Sequence, residues 1–111
     1  MEERQLQLVG PSGLSDATLR IHDDRPPRLE LISEYGDFEI PGLDLLDCLN
    51  GLVAELERFS VRPCCKGMLP NVRASGMSRS MSNGRRAYLI SGESRTVVDI
   101  FDPVECDQLN G

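Results

Sequence analysis

Leu6 and Leu8 alternate with polar neighbours from Gln5 to Val9, and the same alternation returns at Leu19 and Ile21, at Leu29 and Leu31, and at Phe38 and Ile40. A period of two puts each pair on one face of an extended strand. Gly10-Pro11-Ser12-Gly13, Asp23-Asp24-Arg25-Pro26-Pro27 and Glu34-Tyr35-Gly36-Asp37 punctuate the strands, and Pro27 has no N–H for a central ladder. The first forty residues therefore predict an antiparallel meander with one apolar face.

The period changes after Pro41-Gly42. Leu45, Leu49, Leu52, Val53 and Leu56 fall at i, i+4, i+7, i+8 and i+11, which predicts an amphipathic helix between Leu43 and Phe59. Asp44 and Asp47 sit in its first turn and Arg58 in its last, as the helix dipole favours. Gly51 costs up to about 1 kcal/mol relative to alanine in a helix, so its presence implies close approach to the sheet. Pro63 ends this helix, and about twenty residues of weak periodicity follow; loops of that length are often functional. Within them the four-residue spacing of Met77 and Met81 admits a single helical turn at 75–82. Met68, Leu69, Val72, Met77 and Met81 are the residues available to pin the loop down. Arg86-Ala87-Tyr88-Leu89-Ile90 and Thr96-Val97-Val98-Asp99-Ile100-Phe101 then read as a closing hairpin, and the tail beyond Pro103 reads as polar and loose. The expected fold is α+β and one domain over residues 1–111. It consists of an antiparallel sheet of about six strands (β-β-β-β-α-loop-β-β), covered on one face by one long helix.

Composition changes the picture only modestly. Forty per cent hydrophobic and 27% charged residues are ordinary for a soluble globular chain. The N-terminus shows no secretory pattern, and no apolar run approaches the roughly 20 residues needed to span a membrane, so the expected location is cytoplasmic. Four cysteines lack any C-x-x-C pair; Cys64 and Cys65 are adjacent and Cys48 lies on the helix. Reduced thiols are the expectation, with no metal and no cofactor.

Charge is far from uniform. Residues 58–92 contain no acid but carry seven of the twelve basic side chains, so this stretch is +7 within a chain of net charge −6. Its centre, from Asn71 to Arg86, mixes serines, glycines and arginines. One reading is an anion or partner site: Arg73, Arg79, Arg85 and Arg86 supply guanidiniums and Ser75 and Ser78 hydroxyls, while Gly76 and Gly84 allow close backbone approach. The other is that these arginines pair with the chain's own acids. No phosphate-loop pattern is present. Nucleic acid is a poor candidate, since no aromatic lies between Phe59 and Tyr88 to stack a base and the net charge opposes it. Cys64, Cys65 and the loop serines lack a nearby base, His22 being the one histidine, so no catalytic residue is assigned and whether the chain is an enzyme stays open, the balance favouring a non-enzyme. Acids concentrate in the first forty residues, as a solvated surface or as one that meets a basic partner.

Asn71–Met81, Gly84-Arg85-Arg86-Ala87-Tyr88 and Val98-Asp99-Ile100-Phe101-Asp102-Pro103 resemble a group of small bacterial proteins sharing R-x-S-G-M-S-R-x-M, G-R-x-A-Y and V-D-I-F-D-P. The resemblance spans about a third of the chain and brings no assigned activity; a glycine pair fits the pattern where this chain has Ser82-Asn83. By size and charge alone the chain also resembles immunity proteins of toxin–immunity pairs. Two functions follow as expectations. The first is a small acidic bacterial binding protein of immunity type that neutralises a basic toxin domain. The alternative is a small enzyme or ligand-binding domain whose basic Ser/Gly/Arg loop holds a phosphorylated or carboxylated metabolite. Oligomeric state is not specified by the sequence.

Overall fold

The computed structural model describes residues 1–110. The meander is present and its strands run longer than their apolar centres: β1 Glu2–Gly10, β2 Gly13–His22, β3 Arg28–Ser33 and β4 Gly36–Pro41. Strand register explains the alternation. Leu6 faces Ala17, Leu19 faces Leu31, and Ile21, Leu29 and Ile40 form one cross-strand row, so one face of the sheet is apolar throughout.

Helix α1, Leu45–Glu57, lies on that face. Leu45, Cys48, Leu49, Leu52 and Leu56 are its buried residues, and Gly51 does allow close approach. A Cβ at Gly51 would stand 2.8 Å from Ile40 Cγ2, well inside van der Waals contact. Val61, Cys65, Ala87, Ile100 and Phe101 complete the same core.

The second half departs from the expected single sheet of about six strands under one helix. Among the described residues there are eight strands in two sheets and two α-helices. Beyond α1 come β5 Arg62–Pro63, a 3-10 turn at Lys66–Met68, β6 Val72–Arg73, α2 Gly76–Ser82, β7 Arg86–Ser91 and β8 Ser94–Asp99. The first sheet has the order β4-β3-β2-β1-β5 and the second β6-β7-β8. β5 and β6 escape sequence reading because each is two residues long and so has no period. The hairpin also ends two residues early: Ile100 and Phe101 leave the strand and turn into the main core.

Residues 64–67 stitch the sheets together. Cys64 N–H donates to Gln7 O at 2.8 Å and Cys64 O accepts from Val104 N–H at 3.2 Å. Lys66 N–H donates to Asp102 O and Gly67 N–H to Ile100 O, each at 2.9 Å. A side chain at Gly67 would meet Leu49 Cδ2 at 2.5 Å, so this crossing needs glycine.

Two further expectations are corrected here. Cys64 is bonded to Cys106, across 42 residues, where reduced thiols were expected. The Val104–Cys64 hydrogen bond sets the tail beside β5, and the two Cα atoms stand 5.1 Å apart, within ordinary disulfide range. The tail is accordingly not loose. Cys64, Cys106 and Leu109 form a small second apolar cluster, and Cys106–Asn110 is a 3-10 helix. Cys48 and Cys65 remain free and buried. No helix among the described residues is long and apolar enough to cross a membrane.

Closing a loop of 42 residues restricts the unfolded chain by about 3–4 kcal/mol. The Cys64→Ser/Cys106→Ser double variant is therefore expected to lose stability of about that size in guanidinium unfolding, and reductant is expected to destabilise the native chain while leaving the variant unchanged.

Candidate functional site

The acid-free stretch is organised by capping rather than by loop irregularity. Ser75 caps α2: its Oγ accepts from Ser78 N–H, and its own N–H donates to Ser78 Oγ, both at 3.0 Å. This reciprocal pair satisfies two otherwise orphaned amides. At the other end Asn83 adopts a left-handed conformation (φ 53°) and Gly84 continues it (φ 80°), the usual way to terminate a helix. The single turn anticipated at 75–82 is thus a complete short helix. Met77 and Met81 do not pin it down, being 73% and 79% exposed.

A carboxylate holds α2 in place. Arg79 donates from Nε and Nη2 to the two oxygens of Asp44, at 2.9 and 3.0 Å. Asp44 Oδ1 also caps α1 by accepting from Asp47 N–H at 2.8 Å. Leu45 N–H donates to Asn83 O at 2.7 Å, so the start of α1 and the end of α2 meet. A Cβ on Gly84 would lie 2.6 Å from Asp44 Cγ, which excludes larger residues there. Asn83, itself buried, reaches the loop before β3 through Nδ2, donating to Asp23 Oδ1 at 2.8 Å and Asp24 O at 2.9 Å.

Arg85 is drawn into a different cluster. Its Nε donates to Asp99 Oδ2 and its Nη2 to Glu2 Oε2, each at 2.9 Å. Arg4 binds Glu2 and also donates to Asp99 at 3.2 Å and Asp102 at 2.9 Å. The Arg85 guanidinium lies 5.8 Å from the centre of the Phe101 ring.

The six residues expected at the site therefore divide. Arg79 and Arg85 neutralise acids, and Ser75 and Ser78 cap a helix. Arg73 donates to the carbonyls of Pro70 and Val72 and has no acidic partner among the described residues. The Arg86 side chain has no hydrogen-bond or ion-pair partner among the described residues.

Arg86 lines an open cleft of about 1060 Å³ bounded by α2, β7 and β8. Four acids line it, and the chain's own donors occupy each. Arg4 and Arg85 hold Glu2 and Asp99, Arg4 holds Asp102, and Asn83 holds Asp23. Of the four cations at its wall only Arg85 is spent; Arg25, Lys66 and Arg86 have no side-chain partner among the described residues. Tyr88 and Thr96 add hydroxyls, and Met81 and Val97 an apolar lip. Arg25 was not expected, and no local pattern marks it. The Asn83 contacts with Asp23 and Asp24, sixty residues apart in sequence, bring its loop to the cleft.

The candidate nucleophiles are not poised for attack. Cys64 is in the disulfide. Burial pushes the Cys65 thiol up to about 12 and the Cys48 thiol up to about 11, so both stay protonated near neutrality. His22 hydrogen-bonds Glu30 and Arg28 and does not line the cleft. Comparison of the chain with protein-family models and with curated proteins finds no match.

Asp44 is held below the ordinary carboxylate range, first by the Arg79 hydrogen bonds, which outweigh partial burial. At Glu2 burial acts upward, and hydrogen bonds from Arg4 and Arg85 overcome it to bring the carboxyl down. Both groups bind protons more readily in the unfolded chain, so stability rises with pH. Their contribution is complete above the ordinary carboxyl values of about 4 and disappears as pH falls through the depressed folded ones. Asp44→Asn keeps a capping side chain but removes the charge. It is expected to cost about 1 kcal/mol at neutral pH, since water screens the half-exposed Arg79, and less at about pH 2, toward which Asp44 itself gains a proton. Urea titrations at the two pH values measure the difference.

Proposed function

We propose that the protein is a binding protein whose cleft beside α2 receives an anionic group, a carboxylate or phosphate, of its partner or ligand. One observation carries this reading. Every acid lining the cleft already has a donor from the chain, whereas Arg25, Lys66 and Arg86 are unspent. The cleft therefore presents cationic and hydroxyl donors to an incoming group, although the whole chain carries −6. Charge-assisted hydrogen bonds of this kind are stronger than neutral ones. The apolar lip at Met81 and Val97 suits a ligand that is not a bare ion.

The immunity-type reading, with an acidic surface meeting a basic toxin domain, has less support. Glu2, Glu3, Asp23 and Glu30 are each held by the chain's own donors.

Titration with tripolyphosphate at low ionic strength, followed by amide chemical shifts, tests the proposal. Saturable shifts are expected at Lys66, Arg86, Tyr88 and Thr96. The Lys66→Ala/Arg86→Ala variant is expected to bind about tenfold more weakly, and added salt to weaken binding further. Shifts absent from the cleft, or unaltered in the double variant, refute it.

A further inference from the structure

β8 is an edge strand, and it carries the wall of the cleft. Thr96 and Val98 line the cleft together with Val97 and Asp99. These residues alternate between the two faces of the sheet, so the open volume wraps around the strand's free edge.

Two hydrogen bonds fix which main-chain groups point into that space. Ile90 N–H donates to Asn71 O at 2.9 Å, away from β8, and Ile100 N–H donates to Arg85 O at 3.0 Å, toward the β7 side. With Ile90 opposite Arg95 and Ala87 opposite Val98, antiparallel alternation turns the N–H and C=O groups of Thr96 and Val98 toward β7. Those of Arg95 and Val97 point outward. The edge closes at Asp99, whose carbonyl accepts from Asp102 N–H at 3.1 Å. Its open part, Ser94–Val97, is exposed throughout and contains no proline, and its one charged side chain is Arg95, which disfavours a basic neighbouring strand rather than an acidic one.

Register also decides the charge beside the edge. Arg73, Tyr88 and Val97 form one cross-strand row, with Ile90–Arg95 and Arg86–Asp99 on either side. Arg73, Arg86 and Arg95 are exposed and none has an acidic partner among the described residues; Asp99 is occupied by Arg4 and Arg85. Arg86 and Arg95 thus lie beside two outward N–H groups and two outward carbonyls, with Arg73 further back on β6.

We infer that β8 accepts an extended acidic segment of a partner protein as an added strand, paired with the main chain of Arg95 and Val97. The inference rests on the cationic cleft proposed above and names its occupant. The added strand supplies affinity through main-chain hydrogen bonds, and its alternate side chains supply specificity. Acidic side chains on one face meet Arg86 and Arg95, and the apolar ones lie on the other face, beside Thr96 and Val98. A second copy of this chain fits less well, because antiparallel pairing of two β8 edges sets two such arginine faces side by side.

The test uses an acetylated heptapeptide of alternating Glu and Val, with tripolyphosphate as the control anion. Binding is expected to slow hydrogen exchange at the Arg95 and Val97 amides and leave those of Thr96 and Val98, already bonded to β7, unchanged. Val97→Pro removes one outward N–H without breaking a bond to β7, as edge positions tolerate. It is expected to weaken the peptide by about tenfold, and an unchanged far-ultraviolet circular dichroism spectrum reports that the variant is folded. N-methylation of the peptide at alternate residues is expected to have the same effect from the other side. Equal binding of methylated and unmethylated peptides, or no protection at Arg95 and Val97, overturns strand addition and leaves the anion cleft standing. Loss of tripolyphosphate binding in the unmodified protein removes the cleft reading itself. A dimer in analytical ultracentrifugation that Val97→Pro dissociates overturns the inference in favour of self-pairing.

Discussion

Arg4 and Arg85 share the carboxylates of Glu2 and Asp99, and through this cluster the first strand is bonded to the last. Both guanidiniums are raised: partial burial opposes the charge, but the hydrogen bonds they donate to Glu2, and to Asp102 or Asp99, overcome it. The cluster sits where the two sheets meet, beside Phe101 and the 64–67 crossing. Once partly removed from water, neither member can lose its partner cheaply. Its influence extends to the neighbouring cleft. By consuming Glu2, Asp99 and Asp102, it leaves the cations across the opening without a direct acidic partner.

The same logic operates at Asp44, where one carboxylate both starts α1 and fixes α2. An arginine and a helix cap share the two oxygens, so the short helix needs no apolar anchor and leaves Met77 and Met81 in solvent. This separates the arginines that build the molecule from those available to a ligand. Arg79 and Arg85 belong to the first kind, and Arg86 and Arg95 to the second.

The meander and α1 were legible because their apolar residues repeat often enough to establish a period. Leu6–Leu8 through Phe38–Ile40 and Leu45–Leu56 are runs of that sort, and the acid-free stretch was visible as simple composition. β5, β6 and the bond between Cys64 and Cys106 were not visible, because each is created by segments far apart in sequence and leaves no local repeat. The roles of the arginines were hidden for the same reason. Arg79 and Asp44 are 35 residues apart, and Arg4 and Asp102 are 98 apart. Identical side chains a few positions apart therefore looked equivalent until the fold distributed their partners.

The bond between Cys64 and Cys106 makes a ring of everything between them. That ring contains the second sheet, α2 and all the cleft residues except Glu2, Asp23 and Arg25. A single proteolytic cut within the ring, even at an exposed turn such as Gly92-Glu93, opens the loop without releasing a fragment. Under non-reducing conditions the nicked protein keeps its full mass, and both cut ends remain tethered to the core. The cleft is thus carried on a segment whose covalent attachment does not depend on every peptide bond staying intact.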